Sequence, residues 1–473
     1  MKVLIVASEG APFLKTGGLA DVVGALPKAL ADNGIDVRVM MPYYKKIKDK
    51  NTAKYLGYAY VRIGSSSEYV GVFGEEADGI QYYFIDSDRY FYRDRPYGYG
   101  DDGERFAFFN FAVLEAIRVV DYIPDVIHCN DWQTGLIPYI IKANYFGHSE
   151  FAKIKTVFSI HNIQYQGNFP ADIMNIMFLP YSSSLEFGGQ INFMKAGIME
   201  AHEVTTVSPT YKDEVLTDQY GYGLNNILGL RYFDFQGIIN GIDVDKFDPQ
   251  TDSNIYKNYT LRTHKSGKKA NKEALLKEFD MSLDDGPLFG LVSRLVDQKG
   301  IDLLMPILDD ILKYSNAKLF VVGSGDETYE NYFRSLEARY SDRVRAYIGY
   351  NEGVAQKVYA ASDVFLMPSK FEPCGLGQMI AMRYGSLPLV RETGGLRDTV
   401  KPYNQYTKEG TGFTFTNFIP NDLREVMWLA INLYNKNNED FETLVKNAMK
   451  ADYSWKKSAL EYIDLYKFIM LNK

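Results

Sequence analysis

Much is scarce in this chain. Of its 473 residues only Cys129 and Cys374 are cysteine. Two lone thiols exclude a disulfide framework and make a reducing compartment the default. The five histidines, at 128, 148, 161, 202 and 264, are too scattered for zinc-ligand spacing. No apolar run approaches the roughly 18 residues of a membrane span. The N-terminus offers one lysine and a short apolar run before Ser8, Glu9 and Gly10, too little for a signal peptide. Positive charge is in deficit, with 52 Lys and Arg against 60 Asp and Glu and a net charge of -8. Nucleic acid as the main partner would need clustered Lys and Arg, so none is expected, and no membrane either. A small anion held by a local basic group remains open. The expected location is the cytoplasm.

What is present suits a soluble enzyme of two or three domains: 46% apolar and 24% charged residues. The first region alternates strand and helix patterns. KVLIVASE reads as a buried strand, LADVVGALPKALADNG as a helix that Pro27 should kink, and IDVRVMMPYY as a strand. VFGEEADGIQYYFID reads as a hairpin and FAFFNFAVLEAIRVV as a helix. PDVIHCNDW and KTVFSIHN each run from strand into loop. A second series begins near Gly286, with PLFGLVSRL, AKLFVVGSGD, VRAYIGY, DVFLMPS and LPLVRETGG as strands and IDLLMPILDDILKYS as one helix. Continuous apolar strands alternating with helices imply parallel sheets covered on both faces. Between the series, the lysine-rich stretch from Asn240 to Phe279 reads as a hinge and surface crossover. The end, SWKKSALEYIDLYKFIM, is an amphipathic helix with Ser454 as its expected N-cap.

KTGGLAD, Lys15–Asp21, lies between a strand and a helix. Glycines let a ligand approach backbone closely, a helix N-terminus offers unpaired N–H groups, and Lys15 adds a full charge. The combination suits a phosphate; the alternative is a plain turn with a solvated lysine. TGGLAD recurs as TGGLRD at Thr393–Asp398. Arg294 and Lys299, in SRLVDQKG, form a cationic pair of the kind that holds a diphosphate, or are two surface cations. In PSKFEPCGLGQ, Glu372 precedes Cys374, Gly375 and Leu376 at a helix start. A carboxylate there can accept from one sugar hydroxyl while the amides donate to another. Cys374 has no histidine near it in sequence and reads as a packing thiol. Asp86-Ser87-Asp88 resembles the DxD of metal-dependent glycosyltransferases, but a lone DxD is common in loops, so neither metal nor cofactor is expected. Most of the 37 tyrosines are expected in cores and interfaces, with a surface glucan platform as an alternative for some.

Lys15-Thr16-Gly17-Gly18-Leu19-Ala20-Asp21, His161-Asn162, Asn240-Gly241-Ile242-Asp243, Arg294 with Lys299, Glu372-Pro373-Cys374-Gly375-Leu376 and Thr393-Gly394-Gly395-Leu396 occur in that order. Nearly the whole chain thereby resembles the bacterial glycogen synthase and plant starch synthase family. The resemblance implies a GT-B architecture: two Rossmann-like domains facing a cleft, here 1–243 and 244–455, with a C-terminal helix, 456–473, crossing back to the first. It implies retaining transfer of glucose from ADP-glucose, leaving ADP, to the non-reducing end of an α-1,4-glucan. A plastid would replace the cytoplasm if a transit peptide has been removed.

By the same resemblance Lys15, Gly18 and Asp21 meet the sugar nucleotide from the first domain, and Arg294 and Lys299 hold its phosphates from the second. Glu372, Cys374, Gly375 and Leu376 bind the donor glucose. His161 sits near the anomeric carbon, Asp131 lies on the acceptor side, and Tyr350 can stack the adenine. Asn162, Asn240 and Thr393 are further polar contacts. His161, Glu372, Arg294, Lys299, Lys15 and Asp131 are the expected catalytic set. Ile380 stands where many retaining relatives carry a second glutamate, which leaves ribose recognition unassigned. Rival readings are a related transferase with another nucleotide sugar or a small acceptor, and a catalytically silent glucan-binding protein.

Overall fold

The computed structural model describes every residue except Phe146 and Lys473. The chain forms two compact units, Met1–Gly241 with the C-terminal helix from Trp455, and Ile242–Ser454. In the first, the strands are β1 (Lys2–Val6), β2 (Asp36–Pro42), β3 (Lys54–Ile63), β4 (Ser66–Ala77), β5 (Ile80–Asp86), β6 (Val126–Asn130) and β7 (Lys155–Ile160). A small antiparallel sheet of β8 (Asn168–Pro170), β9 (Glu186–Phe187) and β10 (Gln190–Asn192) follows, then β11 (Glu203–Thr206) and β12 (Phe235–Gly237). The main sheet runs β12-β11-β7-β6-β1-β2-β5-β4-β3. From β12 to β5 it is parallel. Val3, Leu4, Ile5 and Val6 are each at most 2% exposed, and burying such side chains contributes about 1.5–3 kcal/mol apiece.

The hairpin read in VFGEEADGIQYYFID is present and makes the sheet mixed at one end. β4 turns back on β5, and β3, unread in the sequence, adds an antiparallel edge. Its alternation is weak as a signal because the outward positions are tyrosines: Tyr58 and Tyr60 point out while Val61 and Ile63 are buried. Tyr58, Tyr60 and Tyr69 thereby form an exposed cluster of rings on this edge.

The helix Gly18–Ala31 continues through Pro27. Proline cannot donate to the carbonyl four residues back, that of Val23. The hydroxyl of Tyr82 lies 3.2 Å from that oxygen and 3.2 Å from the Ala11 oxygen, so its one proton is shared between the two carbonyls. The C-terminal helix Trp455–Asn472 packs on Gly18–Ala31. Tyr466 on it pairs with His128 of β6 at 2.7 Å, and His128 reaches Ser159 of β7 at 2.6 Å.

The second unit holds β13 (Leu288–Val292), β14 (Lys318–Gly323), β15 (Val344–Ile348), β16 (Val364–Met367), β17 (Leu387–Arg391) and β18 (Phe413–Phe415). They form one parallel sheet ordered β15-β14-β13-β16-β17-β18. Two expectations need correction here. The single helix read from Ile301 to Ser315 is broken into Ile301–Leu304 and Leu308–Tyr314, because Pro306 lacks an N–H and clashes with the preceding turn. The lysine-rich crossover contains a helix, His264–Glu278, packed into this unit's core through Leu275 and Leu276. Its buried lysines are matched. Lys268 donates to the carbonyls of Ala360, Ser362 and Tyr384, and Lys272 to Asp363 at 2.6 Å.

In each sheet the chain leaves one strand and returns on its other side: between β1 and β6 in the first, between β13 and β16 in the second. Crevices outside the carboxyl ends of such strand pairs are where open α/β sheets bind ligands.

Candidate active site

Both switch points carry the residues singled out in the sequence. In the first unit β1 runs out into Glu9, which is buried. Its carboxylate accepts from the Thr16 amide at 2.7 Å, from the Thr16 hydroxyl and from the Gly17 amide. A buried anion therefore holds the KTGG turn open. Burial raises the Glu9 pKa, and the Thr16 donors partly offset it. A Cβ added at Gly17 would meet nothing closer than 3.7 Å, and one at Gly18 nothing within 4 Å. Protein packing does not demand glycine at either position; close approach of a ligand would. Lys15, on the same turn, pairs with Asp21 at 2.7 Å with both side chains partly exposed, so the pair itself contributes little.

Across the switch point, β6 ends at Asn130 with Asp131 just beyond it, and β7 leads into His161 and Asn162. Asp131 Oδ1 accepts from the His161 amide at 2.8 Å, and the carboxylate also takes the Asn162 amide. Asp131 has φ 58° and ψ 178°, a region nearly confined to glycine that costs about 1–3 kcal/mol. Burial pushes its pKa up to about 7, helped by the charge of Glu9. His161 Nε2 lies 2.9 Å from Asn130 Oδ1, and burial lowers the His161 pKa to about 4. The Asn162 side chain closes a turn onto the Gln164 amide at 3.0 Å. Asn240, after β12, is buried with an Oδ1 that has no partner among the described residues.

In the second unit, the loop after β13 carries Arg294 and Lys299 and the loop after β16 carries Ser369 and Glu372. Lys299 Nζ sits 2.6 Å from Glu372 Oε2, which also accepts from the Ser369 hydroxyl at 3.0 Å. Arg294 is exposed, and its guanidinium meets no partner among the described residues. Gly375 has φ +74°, and the Gly375 and Leu376 amides find no acceptor among the described residues. Gln378 ties back the carbonyls of Cys374 and Gly375 through its Nε2. The helix that begins here, Gly377–Arg383, is only seven residues long, so individual N–H groups, rather than a macrodipole, carry the electrostatics. Cys374 is buried.

The TGG echo does not repeat its physics. Gly394 has φ +45°, and a Cβ there would lie 1.9 Å from the Glu372 carbonyl oxygen. Gly395 donates its amide to that same oxygen at 3.1 Å. The second copy is glycine because it packs under the Glu372 loop; the first leaves room. Thr393 is buried at the start of Gly394–Thr399. Tyr350 lies past β15, 68% exposed. Asp86 and Asp88 both grip Lys48 Nζ at 2.7 Å.

Residues 2–229 match the family model for the starch synthase catalytic domain, and 276–450 that for glycosyl transferases group 1. The glycogen synthase of Acholeplasma laidlawii is 47% identical over 478 residues, spanning the full length of both chains. That of Anoxybacillus flavithermus is 48% identical, covering 99% of this chain and 98% of its own. The chain belongs to the glycogen synthase family. The catalytic domain of starch synthase IV from Arabidopsis thaliana, solved with ADP and acarbose, superposes with a TM-score of 0.92 at 33% identity, covering 99% of each chain. The fold is therefore of the GT-B type expected.

Within this family fold, the structure brings Lys299 and Glu372 into direct contact and sets Asp131 on the His161 backbone. Glu9, Asn130, Ser369 and Gln378 were missed in the sequence. Glu9 had one available signal: a lone carboxylate three residues past a buried strand and eight before the first glycine of the turn.

Proposed function

We propose that the chain moves glucose from ADP-glucose to the non-reducing end of an α-1,4-glucan with retention of configuration. The observation that carries this is the Lys299–Glu372 pair across the β13/β16 switch point, next to the unengaged Gly375 and Leu376 amides. That arrangement has a cation for a departing phosphate, a carboxylate for sugar hydroxyls and donors for others. Arg294 supplies a second cation suited to a diphosphate. Within the first unit, Lys15 stands on an open glycine turn suited to a phosphate, and Asp131 and His161 stand at the β1/β6 switch point, suited to sugar hydroxyls. Tyr350 stacks the adenine, and Asn162, Asn240 and Thr393 supply polar contacts.

Breaking the glycosidic bond leaves negative charge on ADP and oxocarbenium character on the sugar. Arg294 and Lys299 stabilise the first where it develops. The acceptor hydroxyl attacks from the leaving-group face and passes its proton to the departing phosphate. No second carboxylate is assigned as a nucleophile.

Incubation with glycogen and labelled ADP-glucose or UDP-glucose, in parallel, tests the reading. Label should enter polymer, with ADP-glucose the better donor. Transfer only to a small acceptor, or none from either donor, would overturn it. In the same assay excess EDTA should leave transfer intact, because the charge is met by fixed cations and both DxD carboxylates already hold Lys48. Loss in EDTA with recovery on adding Mn²⁺ or Mg²⁺ would refute that part.

A further inference from the structure

We infer that Asn130 is a positioning residue that locks His161 as its Nε2–H tautomer, so that Nδ1 meets the substrate as a hydrogen-bond acceptor. The inference rests on the proposed function for the identity of the substrate, but not for the tautomer.

Asn130 is the last residue of β6 and 1% exposed. One end of its amide lies 3.1 Å from the Val6 carbonyl oxygen and 3.1 Å from the His128 carbonyl oxygen. Carbonyl oxygens only accept, so this end must be the NH₂ group. The other end is then Oδ1, and it faces His161 Nε2 at 2.9 Å. An amide oxygen only accepts, so Nε2 must carry a proton. A neutral imidazole has one N–H, which leaves Nδ1 bare. Nδ1 has no donor among the described residues. The residue cannot drift, because its own amide is pinned to Asp131 Oδ1 at 2.8 Å.

Burial supports the neutral state, holding His161 near 4 and His128 near 3. The titratable groups around His161 are Asp131 on its backbone and His128 beneath it, with Glu9 and Tyr211 acting through Asp131 or its loop. None donates to Nδ1. A half-buried, fixed lone pair beside the other site residues is suited to a sugar hydroxyl, which must then donate. The chain thus uses an amide from the neighbouring strand to set the direction of a substrate hydrogen bond.

The wild-type chain, labelled with ¹⁵N-histidine, tests the tautomer without substrate. His161, assigned by loss of its signals in His161→Gln, should show a protonated Nε2 and an unprotonated Nδ1 at neutral pH. A protonated Nδ1 would overturn the inference. Asn130→Asp keeps the size and the acceptor and puts a carboxylate against the ring, while exchanging the Nδ2 donor for an oxygen that faces the Val6 and His128 carbonyls, so its stability should fall as well. The His161 titration should then move upward, and kcat/KM for ADP-glucose should fall about tenfold on the acid side of that titration and recover above it. An unmoved His161 titration, or a kcat/KM loss independent of pH, would show Asn130 to be merely structural. Failure of the wild-type chain to transfer glucose would instead strike the proposed function and leave the NMR result standing.

Discussion

Lys299→Ala is expected to lower kcat/KM for the nucleotide sugar by about two orders of magnitude or more, and Glu372→Gln by a similar factor. A charge-assisted hydrogen bond contributes about 1.5–3 kcal/mol, and Lys299 would make more than one with a diphosphate. The two side chains are in contact at 2.6 Å, with 17% and 9% of their surface exposed. They should therefore fail as a unit: the double variant should lose little more activity than the worse single one. Stability should divide differently. Lys299→Ala strands a buried carboxylate that, among the described residues, only the Ser369 hydroxyl still serves, and breaking such a pair costs about 3–5 kcal/mol. Adding Glu372→Gln to Lys299→Ala should restore much of that loss. Lys15→Ala is the contrasting probe. Its partner Asp21 is partly exposed, so the melt should barely move while kcat/KM falls. Steady-state kinetics with chemical denaturation of the four variants would check all of this. Near-normal kinetics in both Lys299→Ala and Lys15→Ala would end the phosphate assignment.

Elements whose identity follows from local burial were readable. VLIV and LFVVG are apolar because both sheet faces are covered, and no other placement hides them. The KTGG turn and the EPCGL loop were readable because glycine, proline and charge together are rarely needed elsewhere. What failed depended on partners distant in sequence. Lysines looked like solvent markers in His264–Glu278, yet Lys272 is buried because Asp363, ninety-one residues away, meets it. β3 exposes tyrosines, which carry no inward or outward signal of their own. Asn130 gains its role only when β1 and β6 lie side by side and Val6 offers its carbonyl. The recurrence of TGG hides different surroundings for the same reason: sequence shows that two glycines are present, not what stands over them.

Asp131→Asn should stabilise the protein at pH 8 and impair it as a catalyst. The Asp131 carboxyl titrates near 7 when folded, against 3.8 ordinarily. Between those values the folded chain holds a proton that the unfolded chain has released. Protons bound in excess by the native state make stability fall as pH rises, so the folded protein loses ground from about pH 4 to about pH 7 and then levels off. Holding an ionised carboxylate there costs on the order of 4 kcal/mol at pH 8, at 1.36 kcal/mol for each unit of displacement. Asparagine removes the charge while its oxygen still accepts from the His161 amide. The variant's advantage over the parent should thus be small near pH 4 and grow to its maximum above pH 7. The charge of Glu9 adds a little to the upward push that burial gives Asp131. If the ionised form serves the acceptor side, kcat/KM of the parent should carry an acid limb near pH 7 that disappears in Asp131→Asn along with most of the activity. Denaturation midpoints of both proteins across this range would decide it, since a stability difference that does not change with pH would mean that Asp131 is already ionised at no cost. A residue kept in strained backbone and costly charge at the end of β6, where a neutral amide would be more stable, is then held there by the reaction and not by the fold.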